Sequence, residues 1–372
     1  MSEAILLVGG KGTRLRPLTS HTPKPLLEVA GVPFLTHQLR RAAAAGVTRI
    51  VLATSYLAEL FEDEYGDGSE LGLRLEYVTE TEPLGTGGAI RNAAGRLTCG
   101  PDEPVLVFNG DILSGVDIAA LREGHRAAGA DVTLHLTRVE DPRAFGLVPT
   151  DDEGRVLAFL EKPETPEQIV TDQINAGCYV FTRAVIDRIP AGRVVSVERE
   201  TFPELLVSGA LVRGVVDDTY WRDLGTPAAF IEGSADLVLG AVDSPAVPGD
   251  TGEALVLPGA SVGQGAVLCA GTVIGSDAVV EDGAVVEASV VLAGARIATG
   301  SVVRNSVVGR GARIGGHCTV DSAVIGDGAD VAAGNELPPG LRIGCGVRLP
   351  AEGIRVSAGR TPCSELPRAV HV

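Results

Sequence analysis

The sequence predicts an α/β domain on a mostly parallel sheet, followed by a triangular coil of parallel strands. Two observations carry this reading. Up to about Gly240, short β-branched runs alternate with longer amphipathic stretches, the pattern of strands joined by covering helices. Beyond Val242–Gly252, where Pro245, Pro248, Gly249 and Gly252 mark a linker, apolar residues recur at fixed spacing. The expected divisions are 1–240, a linker 241–253, a repeat domain 254–349 and a tail 350–372.

In the first part, Ile5–Val8 reads as a short buried strand that runs straight into Gly9, Gly10 and Gly12. Those glycines free the backbone to turn its N–H groups toward a ligand. Lys11, Arg14, Arg16 and Lys24 follow, with no acidic residue between Ala4 and Leu27. A strand ending in such a loop is a place to put phosphates. Neither the Walker spacing nor the G-x-G-x-x-G fingerprint fits it.

Phe34–Ala45 then has helical spacing and stops at Gly46. Thr48–Ala53, Leu73–Val78 and Val105–Phe108 read as strands, with a helix around Ala89–Leu97. In a parallel sheet, ligands sit at the carboxyl ends of strands, which is where the glycine loop falls.

In the repeat, Val262, Leu268, Ile274 and Val280 mark a period of six. The stretches Val286–Val302, Val303–Thr319 and Val320–Glu336 then align with one another, stacking Gly294/Gly311/Gly328 and Ala295/Ala312/Ala329. Each unit is two faces of six residues and one of five. A flexible linker would have no reason to keep Val and Ile in phase. An open apolar cross-section at the end of such a stack needs a cover, from the tail or another subunit, and a homo-oligomer through this domain is expected.

Composition sets the remaining bounds. The 372 residues can bury a core in each part. A net charge of −17 argues against nucleic-acid or membrane-surface partners, so anionic substrates would need a local basic pocket. Cys99, Cys178, Cys269, Cys318, Cys345 and Cys363 form no C-x-x-C pair and read as reduced thiols. No apolar run near the N-terminus is long enough to span a membrane, so the cytoplasm is the expected compartment.

The ordered string GGKGTRLRPLTSHTPKPLLEVAGVP resembles the signature of the sugar-1-phosphate nucleotidyltransferases, and the coil resembles the hexapeptide repeats of left-handed β-helices. The fold this implies is a mostly parallel Rossmann-like nucleotidyltransferase sheet followed by a left-handed parallel β-helix. The implied substrates are GTP and a sugar 1-phosphate, mannose 1-phosphate foremost, joined by in-line attack on the α-phosphate with Mg²⁺. Glucose, heptose and amino-sugar phosphates stay open, because Gly87-Gly88 is similar to relatives acting on other sugars. A non-catalytic paralogue is the rival class, although Arg14, Lys24, Asp111 and Asp223 are all retained. An acyltransferase on the coil would have only His317 to use.

The resemblance also distributes roles. Leu7, Gly9, Gly10, Gly12 and Thr13 would hold the nucleotide, with Arg14 neutralising the departing pyrophosphate and Lys24 reaching the α-phosphate. The Glu80-Thr81-Glu82-Pro83-Leu84-Gly85-Thr86-Gly87-Gly88 stretch would form the base pocket, with Gly85 and Gly88 against a flat base. Glu80 there can accept hydrogen bonds from N1–H and N2–H₂ of guanine, whereas adenine would present it with lone pairs. As an alternative, Glu80 is an ordinary exposed acid at a strand end. Asp111, in Asn109-Gly110-Asp111 after a strand, and Asp223, in Trp221-Arg222-Asp223-Leu224-Gly225, would hold the metal. Trp221 itself reads equally well as domain-interface packing. Gly146, Glu161, Lys162 and Asn175 would bind the sugar phosphate, with Lys162 on the phosphate and Glu161 on hydroxyls.

Overall fold

In the computed structural model, which describes residues 2–163, 165–250 and 252–355, the first strand spans Glu3–Leu7 inside a nine-stranded sheet. Arg49–Thr54 and Pro104–Asn109 flank it, both parallel, and Arg74–Thr79 extends the parallel order. Gln173–Thr182 runs antiparallel to Pro104–Asn109, and Val132–Arg138, Val212–Val216 and the short strands Gly146–Leu147 and Leu160–Glu161 complete that side. Ile5 packs into one buried cluster while Ala4 and Leu6 pack into another on the opposite face. A strand covered on both faces is apolar at consecutive positions, which is why its sequence shows no alternation.

The strand begins earlier than its apolar run suggests. Glu3 is 1% exposed, and its carboxylate accepts from Thr98 N at 2.8 Å and Cys99 N at 3.0 Å. A buried acid with matched donors is invisible to a hydropathy pattern. The helix Phe34–Ala44 ends as expected, before Gly46 at φ 81°.

One helix departs from expectation. It spans Gly85–Ala93, so the glycines lie within it and not ahead of it. A Cβ on Gly85 would come within 2.6 Å of Val195 O, and one on Gly88 within 2.8 Å of Arg193 O. The glycines admit the 193–195 backbone against the helix, and that packing overrides their poor helix propensity.

After the linker the chain forms a left-handed β-helix of three parallel sheets. Val290 pairs with Val307 and Val307 with Val324, seventeen positions apart, whereas Leu255 and Val273 are eighteen apart. Ile274, Val280, Val286, Val291 and Ile297 point into the coil and share one core. Gly294, Gly311 and Gly328 take the left-handed corner conformation at φ 63–66°. Thr272, Ser289 and Ser306 stack as an internal hydroxyl ladder, each oxygen accepting from the backbone N–H of the next coil at 3.0–3.4 Å.

The outward side of one sheet packs on the first domain. Val273, Val290, Val307 and Val324 join Phe34, Phe230, Ile231 and Leu237 in a single buried cluster. The linker is part of this contact: Val242 is buried, and His37 Nδ1 lies 2.7 Å from Ser244 Oγ. Arg310 pairs with Glu28 at 2.8 Å, and Arg342 Nη1 donates to the carbonyl of Arg16 at 2.8 Å. The coil therefore reaches the loop that follows Arg14. Of the expected tail, residues 356–372 lie outside the described residues.

Candidate active site

The glycine loop leaves the sheet at Leu7. Val8 N donates to Ala53 O at 3.1 Å, keeping the loop over the neighbouring strand end. Gly10 and Gly12 adopt φ 121° and 53°, which a side chain would resist. A Cβ on Gly12 would press on Thr19 and Lys24 at 3.0–3.1 Å. Gly10 N–H is already engaged, donating to Ser55 Oγ at 3.2 Å.

Two chambers open at the carboxyl end of these central strands. One, of ≈ 340 Å³, is lined by Gly9, Gly10, Gly12, Thr13, Arg14, Lys24, Asp111 and Gly225. The other, of ≈ 520 Å³, is lined by Lys11, Ser55, Tyr56, Glu80, Pro83, Gly85 and Ala89. Leu7, Gly9, Gly10 and Thr86 line both, so the chambers meet over the end of the first strand. Gly88 is buried against Arg193 and lies off this lining.

The cationic chamber is also lined by Asp111, and a second acid, Asp223, pairs with its Lys24. Gly110 N donates to Leu7 O at 2.9 Å, and a Cβ there would come within 2.5 Å of that oxygen. The turn thus crosses closely over the first strand and holds Asp111 at its tip. Trp221–Asp223 pairs antiparallel with Ile112–Ser114, matching Asp223 to Ile112. Leu224 N then donates to Asp111 O at 3.0 Å, bringing the two acid-bearing segments side by side. Lys24 Nζ sits between them, 3.1 Å from Asp111 Oδ2 and 3.6 Å from Asp223 Oδ1. Burial and the Asp111 carboxylate push the Asp223 pKa up, opposed by Lys24 and Arg14.

Asp223 Oδ1 is buried without a hydrogen-bond partner. Two hard oxygen ligands, one unsatisfied, suit a divalent cation that completes its shell with phosphate and water. Among the described residues no cluster of three or more His, Cys, Asp or Glu offers an all-protein cage.

In the other chamber, Glu80 Oε2 accepts from Leu84 N at 3.3 Å while Oε1 is buried with no partner. Burial pushes this carboxyl upward. Glu80 lines this chamber, and a buried acceptor without a partner calls for a donor. Ser55 and Tyr56, absent from the sequence reading, line the same chamber. They follow directly on a strand end, which is the one signal that could have found them.

The four expected sugar-phosphate residues lie apart from both linings. Glu161 pairs with Gly146 across two short strands, and a Cβ on Gly146 would come within 2.7 Å of the Glu161 Oε2. Lys162 is exposed and left-handed, φ 50°, with Nζ 3.9 Å from Glu161. Asn175 Nδ2 donates to Tyr179 Oη at 2.8 Å. Trp221 links this group to the acids: its ring meets Phe145 edge-on at 5.4 Å and its Nε1 donates to Ala176 O at 2.9 Å. It packs within the first domain, not at the domain interface.

A mostly parallel sheet with a cationic glycine loop, paired acids and an adjoining base-sized chamber defines a nucleotide-handling enzyme. The profile of the nucleotidyl transferase family matches residues 3–238, and the chain belongs to that family. The GMPPB C-terminal domain profile matches residues 251–338. The chain is 58% identical to the mannose-1-phosphate guanylyltransferase of Mycobacterium tuberculosis, over 96% of this chain and 98% of that one. It is 40% identical to the Drosophila pseudoobscura pseudoobscura mannose-1-phosphate guanylyltransferase catalytic subunit beta, over 71% of each. Among solved structures, HddC from Yersinia pseudotuberculosis complexed with GMP-PN is 28% identical with a TM-score of 0.54. That match covers 63% of this chain and 98% of HddC.

Proposed function

We infer that the protein makes GDP-mannose and pyrophosphate from GTP and mannose 1-phosphate. One observation carries the reading: a chamber lined by Glu80, whose buried Oε1 has no partner, opens into a chamber lined by Arg14, Lys24 and Asp111, with Asp223 3.6 Å from that lysine. The names of its relatives supply the sugar and the base.

Guanine would lie in the Glu80 chamber, its N1–H and N2–H₂ donating to the carboxylate. The triphosphate would cross Gly9 and Gly10 into the cationic chamber. An oxygen of the sugar phosphate attacks the α-phosphorus, and the bond from that phosphorus to the β-bridging oxygen breaks. Arg14 takes up charge on the departing pyrophosphate, and Lys24 turns from the acids to the α-phosphate. Asp111 and Asp223 would hold Mg²⁺, which when bound supplies positive charge to the triphosphate. With a phosphate oxygen as nucleophile no general base is needed, and alignment and charge compensation supply the catalysis.

Glu161, Lys162, Gly146 and Asn175 would take the sugar phosphate, reached past Trp221. The reaction belongs in the cytoplasm. Free thiols among the described cysteines suit that setting, and no described helix is long and apolar enough to cross a membrane. We further propose a homo-oligomer built through the coil, on faces other than the one packed against its own first domain.

The test is pyrophosphate release from purified protein with Mg²⁺, each NTP and a panel of sugar 1-phosphates. GTP with mannose 1-phosphate should give the highest kcat/KM. A higher value for another pair would replace the substrate assignment.

A further inference from the structure

We propose that Gln38 is a positioning residue that sets the metal-binding geometry of Asp111 and Asp223; this rests on the reading of those two acids as metal ligands. Gln38 lies on the helix Phe34–Ala44, behind the turn that carries Asp111. Its Nε2 donates to Asn109 O at 2.9 Å and to Ile112 O at 3.0 Å. Those two carbonyls bracket Gly110-Asp111, so one amide group staples both ends of the turn. Ile112 is also the strand partner of Asp223, and the same staple therefore fixes the segment that registers the second acid.

The chemistry of the contact is specific. Two carbonyl oxygens converge on one nitrogen, so the site requires a group that donates twice and carries no lone pair toward them. Glutamine supplies this without charge. A glutamate of the same shape would set carboxylate oxygens against both carbonyls, and a methionine would fill the space with no donor. Strand pairing holds Asn109 opposite Leu7 and Ile112 opposite Asp223, and Gly110 N and Leu224 N tie the turn to the first strand and to the Asp223 loop. None of these ties joins one end of the turn to the other, which the Gln38 amide does. Residues that orient metal ligands from behind commonly change metal affinity or activity by about 10–100-fold when altered.

Gln38→Met and Gln38→Glu, with Asp111→Asn as reference, would be titrated with Mn²⁺ in the presence of GTP, using its electron spin resonance signal to read free metal. GTP affinity without metal and thermal unfolding would be measured on the same proteins. We expect Gln38→Met to weaken Mn²⁺ binding by about tenfold or more, and Gln38→Glu by more still, with metal-free GTP affinity within about twofold of the parent. Unchanged Mn²⁺ affinity in both Gln38 variants, alongside a loss in Asp111→Asn, would overturn the role of Gln38 and leave the metal site standing. Unchanged affinity in Asp111→Asn would overturn the metal site itself. An equal loss of metal-free GTP binding in the Gln38 variants would show general disruption and also overturn the proposal. If Gln38→Met does not fold, the isosteric Glu variant decides on the same criteria.

Discussion

Lys24 Nζ stands 3.1 Å from Asp111 Oδ2 and 3.6 Å from Asp223 Oδ1, so one ammonium offsets two neighbouring carboxylates. In the proposed reaction, incoming cation and triphosphate would replace both halves of the pair. Lys24→Ala should therefore lower kcat by roughly 10²-fold or more. It should also tighten Mn²⁺ binding in the absence of nucleotide, since a competing cation is gone. Weaker nucleotide-free metal binding in this variant would contradict the exchange.

Arg14→Ala and Asp111→Asn should each cut turnover by about two orders of magnitude with the fold intact. In the proposed reaction both side chains would face charge that moves during transfer, and neither is part of a buried apolar cluster. Near-normal pyrophosphate release at saturating GTP from either variant would remove that residue from the mechanism.

Glu80→Gln should shrink the preference for GTP over ATP by about tenfold, or ~1.4 kcal/mol. The glutamine keeps the shape but exchanges one acceptor for a donor at the unpartnered Oε1 position. The kcat/KM ratio for the two nucleotides reads this directly, and an unchanged ratio would mean that Glu80 does not contact the base.

Acid should loosen the protein through its buried imidazoles. Burial holds His37 and His125 down to about 4, below their ordinary value of 6.5. Above pH 6.5 both are neutral whether the chain is folded or not. Between pH 6.5 and about 4 the unfolded chain takes up protons that the folded chain refuses, so stability falls as pH falls. The thermal midpoint should decline across this window, and His37→Gln should decline less steeply than the parent. Parallel slopes would show that His37 contributes nothing to the acid limb.

Cutting the chain after Pro248 should leave the chemistry in place but bare Phe230 and Ile231, which the coil covers. The truncated protein should unfold at lower temperature and bind GTP more weakly, having also lost the Arg342 contact to Arg16. Calorimetry and light scattering on both proteins test this. A truncation with the stability and subunit number of the full chain would refute both the brace and the oligomer.

Much of this was legible because backbone geometry imposes period. The coil's phase could be read from Val and Ile alone, and the register Val290 to Val307 follows it. The glycine loop was legible because a cationic, acid-free window stands out in an acidic chain. What stayed hidden was set by distant partners. The Gly85–Gly88 segment looks like a loop until the 193–195 backbone is laid against it. Gln38 sits in an ordinary amphipathic helix, and only the fold brings Asn109 and Ile112 to its amide. Ser55 and Tyr56 carry no motif at all.

The seventeen- and eighteen-residue registers make the coil a ruler. A single inserted residue within a strand would turn Val286 and its stacked equivalents out of the core, so one residue more or less is absorbed only between strands, as the two registers show, and larger growth comes by complete circuits of the triangle. A whole added circuit would keep the interior yet move every later strand by about 4.8 Å, one strand spacing. Arg342 would then overshoot the Arg16 carbonyl, and Arg310 would miss Glu28 if the extra circuit preceded it. The number of circuits is thus tied to the catalytic loop, and duplication, the easiest way for such a stack to grow, is constrained by where its side must land.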